Sequence, residues 1–190
     1  MQRPRLRPCA PPRDGAGGRD VDVLATLREP APAPALKITD PAVRAMTDFR
    51  QETAPTLTEE LTLEQALDRM FRMGVRASLV VRDGVVTGLL TAEAARAARS
   101  LPRRAAPRVS DAMMPSDEVP AVDWQVIEEG QIRDLIEILE GSGAQHLLVL
   151  ENATPTLIDV RGLVHRERLE RQLGSRWPMR TLPLAQIAGQ

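Results

Sequence analysis

Histidine and cysteine, which serve nucleophilic catalysis and zinc binding, are scarce in this chain. Only two histidines, His146 and His165, and one cysteine, Cys9, occur among its 190 residues. A Ser-His-Asp triad would therefore need one of the two histidines, and an internal disulfide or a cysteine zinc site is excluded. Paired carboxylates at Asp117-Glu118 and Glu128-Glu129 lie in apparent loop regions without a matched base or nucleophile. We therefore expect no catalytic residue and no metal site, and a protein that is not an enzyme.

The composition narrows the possible partners as well. Aromatic residues make up 2% of the chain and the net charge is −1, so base-stacking platforms and a general attraction to polyanions are both missing. No apolar run approaches the roughly 18 residues of a membrane span, and the first residues lack the apolar stretch of a secretory signal. We expect a cytoplasmic protein with an aliphatic core that binds neither membranes nor nucleic acid.

The predicted helices and strands that would position any functional site are arranged as an internal repeat. Apolar residues at positions i, i+3, i+4 and i+7 predict an amphipathic helix twice, 69 residues apart. They are Leu63, Ala66, Leu67 and Met70, and then Ile132, Leu135, Ile136 and Leu139. Gly74 and Gly143 share the same spacing and should end the helices. β-rich runs at 78–81 and 147–150 follow at that spacing too, which indicates a duplication.

Each copy continues with a second strand and a second helix. The Asp83-Gly84 pair predicts a tight hairpin turn in the first copy, whereas residues 152–156 predict a longer loop in the second. The other predicted elements are extended pieces at 56–57 and 119–122, strands that reach Gly88 and Gly162, and helices at 92–100 and 165–173. The chain is therefore predicted to be an α+β protein with a β-α-β-β-α unit written twice.

Four segments follow from this pattern. Residues 1–35 hold seven prolines and predict a disordered leader, whose arginines are either a weak basic arm for a partner or a solvated tail. Residues 36–108 contain a lead-in, the first repeat and a linker, residues 109–173 contain the second repeat, and residues 174–190 form a loose tail. Because each repeat is too small for a strong core of its own, the two should pack through their sheets.

The duplicated unit resembles a tandem CBS-domain pair, the Bateman module. The resemblance rests on Gly-Val-Arg-Ala-Ser-Leu-Val-Val at 74–81, on Val-Thr-Gly-Leu-Leu-Thr at 86–91 and on lead-in segments at 38–47 and 109–115, and it covers roughly residues 36–174. It implies pseudo-twofold symmetry, a regulatory role, a homodimer and clefts for AMP, ADP, ATP or S-adenosylmethionine. Since no effector domain remains within the chain, it also implies an unidentified protein target in trans.

The family's ligand signature is Gly-hydrophobic-hydrophobic-Thr/Ser-x-x-Asp, in which the hydroxyl reaches a phosphate and the carboxylate accepts from ribose hydroxyls. The first repeat keeps Thr91 but has Ala94 in place of the aspartate, and the second has His165 and Arg168 in place of Thr and Asp. The ligand-binding residues that the resemblance implies are Thr56, Val75, Arg76, Ala77, Thr91, His165 and Arg168.

The altered signature leaves two interpretations open. Thr91 either binds a phosphate or only caps the following helix, and His165 and Arg168 either hold a phosphate in a non-standard mode or are solvated helix-start residues. The first interpretation predicts a sensor of an adenine nucleotide or related anion in one cleft. The second predicts a ligand-free dimerisation or partner-docking module with degenerate nucleotide sites.

Charge is distributed unequally between the repeats. Residues 36–108 have a net charge of +3 and residues 109–173 a net charge of −8. An anionic ligand should therefore prefer a cleft flanked by Arg76, Arg99, Arg103 and Arg104. The same asymmetry could equally serve the association of unlike faces of two chains.

Overall fold

The computed structural model describes residues 5–9, 35–100, 106–154 and 157–174. The elements of these residues are β1 (Arg5–Pro8), β2 (Met46–Asp48), β3 (Thr56–Leu57), α1 (Leu63–Arg72), β4 (Ala77–Arg82), β5 (Val85–Thr91), α2 (Ala92–Arg99), β6 (Met114–Pro115), β7 (Ala121–Asp123), α3 (Trp124–Glu129), α4 (Ile132–Ser142), β8 (His146–Thr154), β9 (Leu157–His165) and α5 (Arg166–Leu173). Short 3₁₀ turns at Ala42–Ala45 and Val109–Asp111 precede the two repeats.

The strands form one sheet for each repeat. The first sheet has the order β3-β4-β5-β6, and the second has the order β1-β9-β8-β7 with β2 also paired to β9. The hairpins β4–β5 and β8–β9 are antiparallel, while β3 and β7 run parallel to β4 and β8. One buried cluster contains residues of both sheets, and two others contain residues of a sheet and its helices. The predicted α+β fold, with two repeats packed through their sheets, is confirmed.

The amphipathic helices begin and end where the sequence pattern predicts. A reciprocal capping box starts α1, because the N–H of Gln65 donates to the Thr62 hydroxyl at 3.2 Å and the Thr62 N–H donates to the Gln65 side chain at 3.0 Å. After α1 and α4, Gly74 and Gly143 adopt φ of 66° and 65°, which favours glycine. The shared spacing of 69 residues therefore reflects the same helix stop used twice.

The segment before each repeat packs on the other repeat. The N–H of Ala42, in the first lead-in, donates to the carbonyl of Gly130 at 2.9 Å, and the N–H of Leu63 donates to the carbonyl of Pro107, in the linker just before the second lead-in, at 2.9 Å. Strand β2 of the first lead-in pairs with β9, and β6 of the second pairs with β5. The two repeats are thus interlocked, because the sheet of each repeat contains a strand from the lead-in of the other repeat.

The glycine of each signature lies where a lead-in strand crosses closely. A Cβ built on Gly88 would be 2.4 Å from the carbonyl oxygen of Met114 in β6. A Cβ built on Gly162 would be 2.5 Å from the carbonyl oxygen of Thr47 in β2. Both distances are far below van der Waals contact, so strand packing alone explains why glycine stands at these two positions.

The leader prediction is wrong for the part of the leader that the structure describes. Strand β1 runs parallel to β9, the guanidinium of Arg7 pairs with the carboxylate of Asp159, and the N–H of Cys9 donates to the carbonyl of Val160. Leu6 and the buried Cys9 pack into the cluster between the sheets. Order here comes from tertiary pairing, which a local proline-rich composition does not reveal. Residues 10–34 and 175–190 lie outside the described residues.

Two further predictions fail in the second repeat. Glu128 and Glu129 lie in α3 and not in a loop, because the carboxylate of Asp123 accepts from the N–H of Gln125 at 2.8 Å and caps a short helix. The loop predicted at 152–156 is wrong for its first three residues, since β8 continues to Thr154. The extra length of the second hairpin, compared with the first, therefore lies in its strands.

Candidate functional site

Each hairpin has one end that leads into the second helix of its repeat. At that end, residues of the two repeats occupy equivalent positions. Ala77 at the start of β4 is the cross-strand partner of Thr91 at the end of β5, and His146 at the start of β8 is the partner of His165 at the end of β9. Helices α2 and α5 begin directly after these pairs. The predicted signature residues consequently stand at helix N-termini, where backbone N–H groups favour anions.

In the first repeat, the signature hydroxyl has an intramolecular partner. The N–H of Ala94 donates to the Oγ1 of Thr91 at 3.1 Å, which makes Thr91 the N-cap of α2. Ala77 beside it is buried, and the N–H of Val75 donates to the carbonyl of Met70 at 3.0 Å. Thr56 is exposed on β3 opposite Leu79. The first repeat therefore offers a capped helix start with small neighbours.

In the second repeat, two imidazoles replace the small pair. The ring centroids of His146 and His165 are 5.1 Å apart, and the ring planes meet at 81°. His165 is the N-cap residue of α5, but its side chain makes no capping hydrogen bond. Burial lowers the pKa of both imidazoles, and His146 and Arg168 help to bring the pKa of His165 to about 4. Both rings are therefore neutral near pH 7.

One ion pair and one hydrogen bond join the two repeats at this place. The Nη1 of Arg76 donates to Oε1 and Oε2 of Glu167 in α5, at 2.9 Å to each oxygen. The Nη1 of Arg171 donates to the Oε1 of Glu167 at 2.6 Å. The guanidinium of Arg168 donates to the hydroxyl of Thr47 at 3.0 Å. A cationic residue of the first repeat thus meets the start of a helix of the second.

We use the name inter-repeat cleft for the cleft that the family resemblance implies between the repeats. The residues that we assign to it, at the hairpin ends and the starts of α2 and α5, are Arg76, Ala77, Thr91, His146, His165, Glu167 and Arg168. The nearby carboxylates of Glu167 and of Glu93, near the start of α2, act to raise the pKa of His146 against the effect of burial. The structure therefore brings the starts of α2 and α5 close to the same imidazole.

Sequence reasoning missed two residues of the cleft, His146 and Glu167. The repeat offset of 69 residues aligns His146 with Ala77, which is a predicted ligand-binding residue. The spacing could therefore have identified His146. Glu167 stands one residue before Arg168, just as Glu93 stands one residue before Ala94. Arg103 and Arg104, which were expected to flank a cleft, lie outside the described residues.

A groove with a volume of about 630 Å³ lies between α1 and α2. Its apolar lining includes Leu67, Met70, Phe71 and Val75, and its charged lining is Glu64, Asp68, Arg76, Arg96 and Arg99. The ring of Phe71 is conspicuous because the residue is 84% exposed. Arg76 and Arg99, which sequence analysis placed beside one cleft, both line this groove.

Neither a metal centre nor a membrane helix is found in the part of the chain that the structure describes. No group of three or more His, Cys, Asp or Glu residues there could hold a metal ion. None of its helices is long and apolar enough to cross a membrane.

The histidine pair predicts a loss of stability in mild acid. A histidine of the unfolded chain has a pKa near 6.5, whereas His165 in the folded protein has a pKa of about 4. The unfolded chain therefore binds protons first, and the contribution of neutral His165 is lost as the pH falls from 6.5 to about 4. We expect the free energy of unfolding to fall by about 2 kcal/mol across that window.

Urea unfolding of the wild type and of His165→Asn at several pH values tests this expectation. Asparagine suits the N-cap position and does not titrate, so the variant should show a shallower pH dependence between pH 6.5 and 5. Identical slopes for the two proteins would contradict it.

Solved structures with the same fold come from several proteins. The chain is similar to an uncharacterized conserved protein from Pyrococcus horikoshii, at 16% identity and a TM-score of 0.53, covering 77% of this chain and 100% of the other. It is similar to the CBS domain of a bacterial CNNM/CorC family Mg²⁺ transporter in complex with ATP, at 18% identity and a TM-score of 0.51, covering 72% and 88%.

A third likeness is to a hemolysin-like protein containing a CBS domain from Oenococcus oeni, at 15% identity and a TM-score of 0.50, covering 72% of this chain and 93% of the other. No protein-family model and no curated protein matches the sequence. At these identities the likenesses concern the fold.

Proposed function

Because the chain has the fold of a tandem CBS-domain pair, we propose that it is a regulatory module that senses an adenine nucleotide or a related anion in the inter-repeat cleft. The observation that carries the proposal is the meeting of Arg76, from the first repeat, with the start of α5, from the second. A ligand bound there touches both repeats at once, so its binding can alter how they sit together.

The chemistry of the cleft supports an anionic group of the ligand. Arg76 and Arg168 supply guanidinium groups, which bind phosphate with paired hydrogen bonds. The start of α5 has no side-chain cap. The N–H of Arg166 donates to the carbonyl of Gln145 at 3.0 Å, and the N–H groups that follow it add to this positive region. The similar transporter domain solved with ATP supports an adenine nucleotide as the ligand, and S-adenosylmethionine remains a further candidate.

The rest of the proposal concerns the setting in which the module acts. We propose a cytoplasmic, non-catalytic protein that forms a homodimer and acts on a protein target in trans. The interlocked repeats support a single switching unit, because each lead-in strand is held by the opposite repeat.

Thermal unfolding with AMP, ADP, ATP and S-adenosylmethionine tests the sensor function. A ligand at 100 times its dissociation constant should add about 2.7 kcal/mol to the free energy of unfolding. Arg76→Gln should remove most of this shift, whereas the exposed Arg69→Gln on α1 should keep it. A melting temperature that no ligand of the panel changes would contradict the sensor function.

A second candidate function is favoured by the groove between α1 and α2. An 84% exposed phenylalanine beside an apolar floor is typical of a docking surface, and the rims carry opposite charges, with Glu64 on α1 and Arg96 on α2. In this alternative the chain is a dimerisation or partner-docking module whose nucleotide sites are degenerate.

Sedimentation of the wild type and of Phe71→Ser separates the two functions when read beside the thermal panel. The docking function predicts a dimer that Phe71→Ser weakens, together with no response to any nucleotide. A nucleotide response that Phe71→Ser leaves intact favours the sensor, and a wild-type monomer would contradict self-association.

A further inference from the structure

We propose that Glu167 is a built-in competitor, whose carboxylate occupies the place that an incoming anion takes between Arg76 and Arg171. The proposal rests on the proposed function, because it concerns the same cleft, and it specifies how that cleft is held when no ligand is bound. Anion binding then requires that Glu167 be displaced.

The geometry of Glu167 is that of an anion held in a site. Both of its carboxylate oxygens lie 2.9 Å from the Nη1 of Arg76, and Oε1 lies 2.6 Å from the Nη1 of Arg171. Arg171 is one helical turn further along α5, so that pair is an ordinary helix contact. Arg76 is different, because it comes from the other repeat, 91 residues away in sequence. A carboxylate is therefore clasped by guanidinium groups of both repeats.

The pair is also easy to displace. The side chains of Arg76 and Glu167 are 72% and 55% exposed, so water screens their attraction and a dissolved anion can reach the guanidinium. A sulfate or phosphate group carries more charge than a carboxylate and offers the same paired acceptors to an arginine. Exchange of Glu167 for such a group breaks its contacts with Arg76 and Arg171.

Neighbouring groups favour an external anion once Glu167 has moved. The guanidinium of Arg168 is bonded to the neutral hydroxyl of Thr47, so its charge is available to a ligand. The rings of His146 and His165 are neutral, and protonation of either would add positive charge. Glu93, at the start of α2, is the opposing carboxylate.

The exchange has a consequence for signalling. The Arg76–Glu167 pair ties the residue before β4 to α5. When an anion binds Arg76, the direct ion pair between the repeats is replaced by a contact that runs through the ligand. Binding of an anion in the cleft therefore changes the contact between the two repeats.

The test compares sulfate binding by the wild type, Glu167→Gln and Glu170→Gln in the full chain, measured by calorimetric titration. Sulfate is the probe because its charge does not change near neutral pH. Removal of a competing carboxylate should strengthen sulfate binding about fivefold in Glu167→Gln, the factor expected from an exposed ion pair. Glu170→Gln is the matched control, since Glu170 also lies on α5 and pairs with Arg166 four residues before it but not with the first repeat.

A third variant fixes the place of binding. In Arg76→Gln/Glu167→Gln the gain in affinity should disappear, because one of the two guanidinium groups is gone. Equal sulfate affinity in the wild type and Glu167→Gln, or no sulfate binding by either protein, would overturn the proposal. An equal gain in Glu170→Gln would also overturn it, since the effect would then reflect net charge alone.

The outcome is separable from that of the proposed function. Tighter sulfate binding by Glu167→Gln without any nucleotide response keeps Glu167 as a competitor and removes the nucleotide sensor. ATP binding that is the same in the wild type and Glu167→Gln keeps the sensor and removes the competitor.

Discussion

Replacement of Gly162 by alanine should destabilise the protein by about 3 kcal/mol, near the upper end for overpacking of a core position. The added Cβ would lie 2.5 Å from the carbonyl oxygen of Thr47 and 2.2 Å from the Cε of Met46. The methionine can turn away, but the carbonyl belongs to β2, which pairs with β9 at this position. The first lead-in would have to leave the second sheet, and with it the link that interlocks the repeats.

Urea unfolding of Gly162→Ala against Gly141→Ala measures this effect. Gly141 lies within α4, and no group outside the adjoining helix backbone lies within 4 Å of a Cβ built there, so alanine should stabilise that helix by about 0.5–1 kcal/mol. The two alanines thus have opposite expected signs. A Gly162→Ala protein as stable as the wild type would show that the close approach of β2 does not hold the lead-in.

Replacement of Arg161 by leucine should cost about 3–5 kcal/mol, the loss expected when one partner of a buried ion pair is removed. The Arg161 side chain is only 12% exposed, and it pairs with Asp48 at 3.4 Å and Glu151 at 3.1 Å. Its guanidinium lies 3.8 Å from the ring centroid of Trp124. Leucine would leave the carboxylate of Asp48, which is 10% exposed, without this arginine.

Two comparisons isolate the charge from the packing. Asp48→Asn in the Arg161→Leu background should restore part of the lost stability, because it removes a buried carboxylate charge that has lost its arginine. Arg133→Leu is the surface control, since Arg133 is 58% exposed and lies 4.0 Å from Asp134, and it should change stability by less than about 0.5 kcal/mol. If Arg161→Leu and Arg133→Leu cost the same, the ion pairs of Arg161 would not contribute to the fold.

Much of the fold could be predicted from the chain, because its signals are local and occur twice. The helix periodicity at 63–70 and 132–139, the glycine stops and the β-rich runs each follow from neighbouring residues. Strand β1 could not be predicted, because its order depends on the edge of β9 more than a hundred residues away. Strands β2 and β6, two or three residues long, likewise exist only through pairing with the opposite repeat.

The placement of the signature residues at helix starts was predictable, but their contacts were not. The signature placed Thr91, His165 and Arg168 at helix starts, and the structure has them there. The partner of Arg76 could not be predicted, because the contact with Glu167 depends on how the two sheets pack and not on spacing within either repeat. His146 is detectable in the sequence only through its alignment with Ala77 at the 69-residue offset, because a single histidine at the start of a strand has no pattern of its own.

The most direct test of the central claim, that one ligand is bound by both repeats at Arg76, is a calorimetric titration of the full chain with ATP. We expect binding that weakens at least tenfold in Arg76→Gln and is unchanged in Arg69→Gln. Absence of binding to the wild type, or equal affinity in the wild type and Arg76→Gln, would contradict the claim.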